Sequence, residues 1–152
     1  MAADPIIIHL GPSDLGLLRQ LNALFADAFD DPRSYGEAPP GERYVREVLG
    51  RDHVVALIAS RDSVVVGGLV AYELPKLEQA RSEIYLYDLA VAANCRRAGI
   101  ATRLIERLLA IARERGAWAV FVQADHGDEA AIALYTKLGR REDVLHFDLR
   151  IA

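Results

Sequence analysis

The sequence predicts a mixed-sheet α/β (α+β) domain with helices on both faces. Three observations predict it. β-branched runs alternate with segments of helical spacing along the chain. Two of those runs, "VVALIAS" and "VVVGGLVAYEL", are separated only by a polar turn, the pattern of an antiparallel hairpin. Later, "SEIYLYDLAV", "IATRLIERLLAIARER" and "AWAVFVQA" follow one another as strand, helix and buried strand, the pattern of a crossover.

Each element has its own signal. Ile6 to Leu10 is a short β-branched run and a first strand. Ser13 is placed to cap a helix through about Phe29, because its hydroxyl can accept an unpaired backbone N–H. Leu15, Leu18, Leu21, Leu24, Phe25 and Ala28 recur there at helical spacing. "DDPRSYGEAPPG" then reads as a loop. A short helix from about Glu42 to Leu49 presents Tyr44, Val45, Val48 and Leu49. After the hairpin and the third strand, the Ile100–Arg115 helix carries Ile100, Leu104, Leu108, Ile111 and Ala112 on one face. Gly116 is suited to end it in the left-handed conformation. "DEAAIALYTKLG" reads as a helix closed by Gly139, and "DVLHFDLRI" as a last strand.

The totals narrow the function. A chain of 152 residues, 52% hydrophobic and 26% charged, fits one domain spanning 1–152 with a real core. A net charge of −4 argues against a nucleic-acid binder, which would carry a basic surface. Cys95 is the single cysteine, so no internal disulfide can form. The 4 histidines are scattered, and no metal is expected. "MAADPIIIHL" lacks the basic start of a signal peptide, and no run is long enough to span a membrane. These features suit the cytoplasm.

"CRRAGIA" stands between the third strand and the helix. The first turn of a helix has unpaired N–H groups and the positive end of the macrodipole, so anions bind there. Gly99 lets backbone approach phosphate closely. Arg96 and Arg97 add charge and donors. The stretch reads as a pyrophosphate cradle, or else as a plain turn with two solvated arginines. It is neither a Walker loop nor a GxGxxG fingerprint.

"DLAVAANCRRAGIATRLI" resembles the acetyl-coenzyme A motif of the GCN5-related N-acetyltransferase superfamily, through Arg96, Gly99 and Ala101. The order of elements is similar to that fold over nearly the whole chain. "AYELPKLEQARSEIYLYDLAV", "VQADHGDEAAIALYTKLG" and "REDVLHFDL" resemble, within it, the aminoglycoside 3-N-acetyltransferases of the gentamicin-modifying type. The resemblance implies a mostly antiparallel central sheet, splayed in the middle between the 83–91 and 118–124 strands. It implies acetyl transfer from acetyl-CoA to the 3-amino group of an aminoglycoside. It also implies that the pantetheine arm pairs with Leu89, Ala90 and Val91. The pyrophosphate would sit on Arg96, Arg97, Ala98, Gly99, Ile100, Ala101 and Thr102. Tyr135 matches the tyrosine that serves the leaving thiolate; a half-buried core tyrosine is the plain alternative.

The base is open between Asp88, Glu83 and Asp125, each able to act through an ordered water. Strict alternation puts Ile84, Leu86, Asp88 and Ala90 on one strand face. A carboxylate there must be paired, or the strand must bulge. Cys95 reads as structural, since a nucleophilic thiol would want a nearby base. A polycationic substrate wants carboxylates around it. Asp31 and Tyr35 in the "DDPRSYGE" loop, Glu83, Asp125 and Asp128 are the expected contacts, Asp128 also reading as a helix N-cap. The rivals are a same-fold transferase for another amine (a polyamine, a small metabolite or a peptide N-terminus) and a non-catalytic acyl-CoA-binding module. An exposed edge near the last strand offers a place for two copies to pair as a homodimer.

Overall fold

A computed structural model describes residues 3–152. Its elements are β1 (Ile6–His9), α1 (Leu15–Ala28), α2 (Pro32–Gly36), α3 (Glu42–Leu49), β2 (Val54–Arg61), β3 (Val64–Pro75), β4 (Ser82–Val91), α4 (Ile100–Arg115), β5 (Ala119–Val122) and α5 (Glu129–Leu138). The strands lie in one sheet in chain order. The first four pair antiparallel, and β5 joins β4 in parallel. The expected mixed, mostly antiparallel sheet is therefore present, with helices on both faces.

β2 is an interior strand, and its first six residues are all buried. Successive side chains of a strand point to opposite faces, so its residues divide between two cores. Val55, Leu57 and Ala59 pack with Ile84, Leu86 and the α4 residues Ile100, Leu104 and Leu108. Ala56 and Ile58 pack with Leu21 and Phe25 of α1 and Val45 and Leu49 of α3. The α4 face read from spacing is the one buried, and Gly99 and Gly116 bracket the helix with φ of 73° and 70°. The β2–β3 hairpin turns on Asp62 and Ser63, at φ 49° and 65°. Two left-handed residues make the turn whose twist matches that of the strands.

Glu73 of β3 fastens α4 to the sheet. Its carboxylate accepts from the Ser82 hydroxyl at 2.7 Å and from Arg115 at 2.8 Å. Burial would raise the Glu73 pKa, but these two donors outweigh it and hold the carboxyl below its usual range. The stability it contributes is complete above the ordinary carboxylate range and is lost as pH falls through the lowered folded value. Glu73→Gln should cost about 1 kcal/mol at pH 7, the usual worth of such a bond. The deficit should shrink on acidification, as denaturant melts at pH 7 and pH 4 would register.

Four expectations need correction. Asp14, not Ser13, stands at the α1 N-cap position, and its carboxylate caps no helix amide but turns back to accept from the Gly11 amide at 2.7 Å. "DDPRSYGE" holds the short helix α2, because Asp31 caps the Ser34 amide at 3.0 Å and Pro32 opens the helix. β5 is not a buried strand: none of its residues is buried, because it forms the sheet edge. "DVLHFDLRI" joins no strand, and the residues after Gly139 run exposed beyond the sheet.

Candidate active site

β4 carries a bulge. Val70 pairs with Asp88 and Ala71 with Leu86, so Tyr87 is an extra residue. Before it, Ile84 and Leu86 face α4. After it, Leu89 and Val91 pack on that side, while Ala90 joins the α1 core. The single face expected for Ile84, Leu86, Asp88 and Ala90 is thus split. The inserted residue shifts the alternation by one and moves everything beyond it to the opposite face.

That shift brings Asp88 to Tyr35 of α2, whose hydroxyl donates to its carboxylate at 2.8 Å. Tyr35 is held in place by Phe25 and Phe29, with ring centroids 5.6 and 5.5 Å away. Burial raises the Asp88 pKa, and the Tyr35 hydrogen bond offsets this only in part. The Tyr35 hydroxyl is in turn pushed up by burial and by the adjacent carboxylate, with a smaller contribution from Asp31. The pair therefore holds a protonated phenol beside a carboxylate more basic than usual.

An aromatic ladder continues from this point. Tyr87 lies 5.2 Å from Tyr85 and 6.0 Å from Tyr72, centroid to centroid. Tyr85 stacks on Phe121 of β5 at 4.7 Å, and its hydroxyl donates to Gln123 at 2.9 Å. The Asp88 charge contributes to raising both Tyr72 and Tyr85, after burial as the main cause. Sequence reasoning missed these residues. The signal was the two-residue spacing of Tyr85 and Tyr87, which puts two phenols on one strand face. Phenol rims around a carboxylate bind cationic, hydroxyl-rich molecules through hydrogen bonds and ring faces.

β5 runs beside β4 only from Glu83↔Ala119 to Leu86↔Val122. Beyond that point β4 continues to Val91, while β5 has ended. The side of Leu89 to Val91 away from β3 consequently has no strand beside it. The chain then leads into the arginine-glycine turn. Arg97 takes a left-handed φ of 61° and Gly99 one of 73°. A non-glycine residue held there is strained, and such strain collects at binding sites. No side chain caps the start of α4, and a Cβ added to Gly99 would meet nothing within 4 Å. Exposed arginines, left-handed backbone and uncapped amides make a concavity suited to a phosphate group. An open groove of about 430 Å³ runs from Gln20 and Asp27 of α1 to Arg96. A larger cleft, about 640 Å³, lies between α1, α2 and α3 and reaches Tyr35.

Tyr135 of α5 packs half-buried against the α4-side core. Burial and the Asp128 charge push its hydroxyl pKa up to about 12. Among the described residues its hydroxyl has no hydrogen-bond partner. Asp128 caps α5 through the Ala131 amide at 3.1 Å, as its position in the sequence suggested. Asp125 is exposed in the loop before it. Glu83 stands at the other end of β4 from Val91, where it accepts from the Trp118 indole at 3.1 Å and pairs with Lys76 at 3.7 Å. The structure thus joins Asp88 to Tyr35 and leaves Glu83 in a separate cluster. Cys95 is part-exposed, its sulfur 3.5 Å from the Asn94 amide oxygen and 4.0 Å from Arg61.

The family profile of the Acetyltransferase (GNAT) family matches residues 19–139. The chain belongs to the GNAT acetyltransferase family. This GNAT domain is similar over 99% of its length to all of an aminoglycoside acetyltransferase, HMB0005, from an uncultured soil metagenomic sample, at 49% identity and a TM-score of 0.96. It is similar over 97% of both chains to a second, meta-AAC0020, solved in complex with sisomicin, at 29% identity and a TM-score of 0.90. A probable N-acetyltransferase, camello, of Xenopus laevis is 33% identical over 94 residues, 62% of this chain and 42% of that protein. The GNAT chain thus matches less than half the length of that curated relative. No helix among the described residues is long and apolar enough to cross a membrane.

Proposed function

We propose that this GNAT acetyltransferase moves the acetyl group of acetyl-CoA to the 3-amino group of aminoglycosides, as one domain in the cytoplasm. The observation that carries the reading is Asp88, half-buried and paired with Tyr35 near the phenols of Tyr72, Tyr85 and Tyr87, beside the open stretch of β4. The likeness to enzymes described as aminoglycoside acetyltransferases supports the substrate class. The acidic positions Asp31, Asp125 and Asp128 would meet ammonium groups of the sugar.

The chemistry follows from the residues. Backbone groups of Leu89, Ala90 and Val91 would pair with the pantetheine arm. The turn from Arg96 to Thr102 would take the pyrophosphate. An ammonium has no lone pair, so the amine must first lose a proton. Asp88, more basic than an ordinary aspartate, accepts it directly or through one water. The amine nitrogen then bonds to the acetyl carbon and the carbon–sulfur bond breaks. Tyr135 steadies the departing thiolate. A phenol at about 12 is well above the ~8.5 of an ordinary thiol, so it donates a hydrogen bond without giving up its proton. Glu83 ranks below Asp88 as the base, since Lys76 and Trp118 already engage it.

Tyr135→Phe should lower kcat about 10- to 100-fold, the value of one hydrogen bond to a charged group, and leave KM for acetyl-CoA nearly unchanged. Initial-rate kinetics at saturating donor decide this. The function itself is tested by thiol release from acetyl-CoA with gentamicin, sisomicin, kanamycin, spermidine, lysine and a short peptide. Turnover confined to gentamicin and sisomicin, with acetylation mapped to the 3-nitrogen, is the expected result. Turnover on the peptide or polyamine instead would reassign the substrate. Binding without turnover on any amine would leave only an acyl-CoA-binding module.

A further inference from the structure

We infer that Tyr35 is a positioning residue for the base: it occupies Oδ1 of Asp88, leaves Oδ2 to take the amine proton, and ties the place of that oxygen to the end of α1. The inference rests on the reading of Asp88 as base given above. It replaces the direct substrate contact that the sequence suggested for Tyr35.

The two oxygens of an aspartate are equivalent until a partner distinguishes them. Here one donor does. The Tyr35 hydroxyl lies 2.8 Å from Oδ1, and among the described residues no other side chain donates to this carboxylate. A phenol has one proton to donate. With Asp88 holding it, Tyr35 has none left for a substrate. No arginine, lysine or histidine among the described residues pairs with Asp88 either. Its other titratable neighbours are phenols, Tyr72 on β3 and Tyr85 and Tyr87 on β4, while Tyr44 of α3 faces Tyr72 and Asp31 faces Tyr35. A half-buried carboxylate without a cation is costly. Oδ2 is thus where an arriving ammonium finds an unpaired charge and gives up its proton.

The phenol is itself held. Phe25 is buried in the α1 core and stacks on Phe29 at 5.3 Å, and both rings flank Tyr35. The backbone between them is closed by hydrogen bonds. The Asp31 amide donates to the Ala26 carbonyl at 3.0 Å, and the Tyr35 amide to the Asp31 carbonyl at 3.3 Å. The Asp31 carboxylate accepts from the Ser34 amide at 3.0 Å. Every link from the buried end of α1 to Oδ1 is therefore a packed ring or a hydrogen bond. Such a chain of contacts fixes an oxygen to the precision that proton transfer needs.

Initial rates and pH profiles on the full chain test this, with acetyl-CoA and the amine that the thiol-release panel shows to be turned over. Tyr35→Phe keeps the ring beside Phe25 and Phe29 and removes only the hydroxyl. It should lower kcat about 10- to 100-fold and leave KM for the amine within about twofold. Donation from the phenol favours the charged carboxylate, so without it Asp88 stays protonated to higher pH. The acidic limb of the pH–rate profile should move to higher pH, a change that lost packing alone does not produce. In the Asp88→Asn background the same substitution should change kcat less than about twofold, because the group it positions is gone. Should Tyr35→Phe melt too low to assay, Phe29→Leu trims one supporting ring and leaves the hydroxyl–carboxylate pair; kcat should fall about threefold with KM unchanged. A raised KM with kcat intact, in either variant, would overturn the inference and return Tyr35 to contacting substrate. Equal losses from Tyr35→Phe in the native and Asp88→Asn backgrounds would overturn it as well. Full activity of Asp88→Asn, or no turnover on any amine, is a separate failure: it removes the base reading itself, and the inference with it.

Discussion

Asp88→Asn should reduce kcat/KM about 10²- to 10⁴-fold, the range for losing a positioned general base. The loss has a second signature. In the native protein the acidic limb of the pH–rate profile follows the titration of Asp88, which burial places above the ordinary aspartate range. Asn has no such limb, so the residual activity should depend on pH only through the amine itself. Asn keeps the shape and can still accept from Tyr35, which limits structural change. Stability should move the other way. A carboxyl whose folded pKa is raised contributes its stability fully below the ordinary range and loses it as pH rises through the folded value. At pH 7 the native protein therefore bears the cost of a desolvated charge that Asn removes. Asp88→Asn should melt at a higher temperature than wild type at pH 7, and the difference should vanish near pH 3. Paired rate profiles and thermal melts across that range measure both effects. An equal loss of activity and stability would instead mark Asp88 as a structural group.

Gly68→Ala should be the most destabilising single substitution in the sheet. Gly68 lies in β3 between Ile58 of β2 and Ala90 of β4, directly beneath α1. A Cβ there would stand 2.3 Å from a Leu21 methyl and 2.8 Å from the Leu57 carbonyl oxygen. Leu21 is fully buried, and the carbonyl belongs to β2, which is paired on both sides, so neither has room to retreat. Overpacking of this kind costs about 1–3 kcal/mol, and the backbone contact argues for the upper end. For a domain of this size that is a fall of about 5–10 °C in Tm. Because α1 leads into α2, a displaced α1 should also loosen the Tyr35 contact to Asp88. Calorimetry, with activity assayed well below the melting range, separates the two consequences. By contrast, a Cβ at Gly99 meets no atom, and its φ of 73° makes backbone strain the obstacle there.

Much of this was readable from the chain, and the exceptions share a cause. α4 was legible because sixteen residues repeat one pattern and a glycine stands at each end. The hairpin was legible because Arg61–Val64 leaves two polar residues between β-branched runs. Features that depend on pairing between distant residues were not. The polar Asp88 on an otherwise apolar alternation did announce that the strand must bulge or the carboxylate be paired, and both occur; which residue is inserted is a mismatch with β3 and not a property of β4 alone. What stayed hidden was the identity of the partner, Tyr35, 53 positions away in the chain. The start of α1 was placed one residue early because Ser13 and Asp14 are both residue types found at N-caps, and Asp14 takes that position with its carboxylate turned to Gly11 instead of to the helix. "DVLHFDLRI" has a true strand pattern, but a pattern names the kind of partner a segment wants and not which chain supplies it.

The sheet order equals the order of synthesis. Once β2 has closed against β1, each strand emerging from the ribosome finds its neighbour already made and adds to a growing edge. β3 and β4 follow through short reversals, and β5 returns after one helix. No strand has to be threaded between two that are already paired, the slow and error-prone step in many mixed sheets. The Asp88–Tyr35 pair can thus close while the chain is still tethered, because both partners leave the exit tunnel before α4 does.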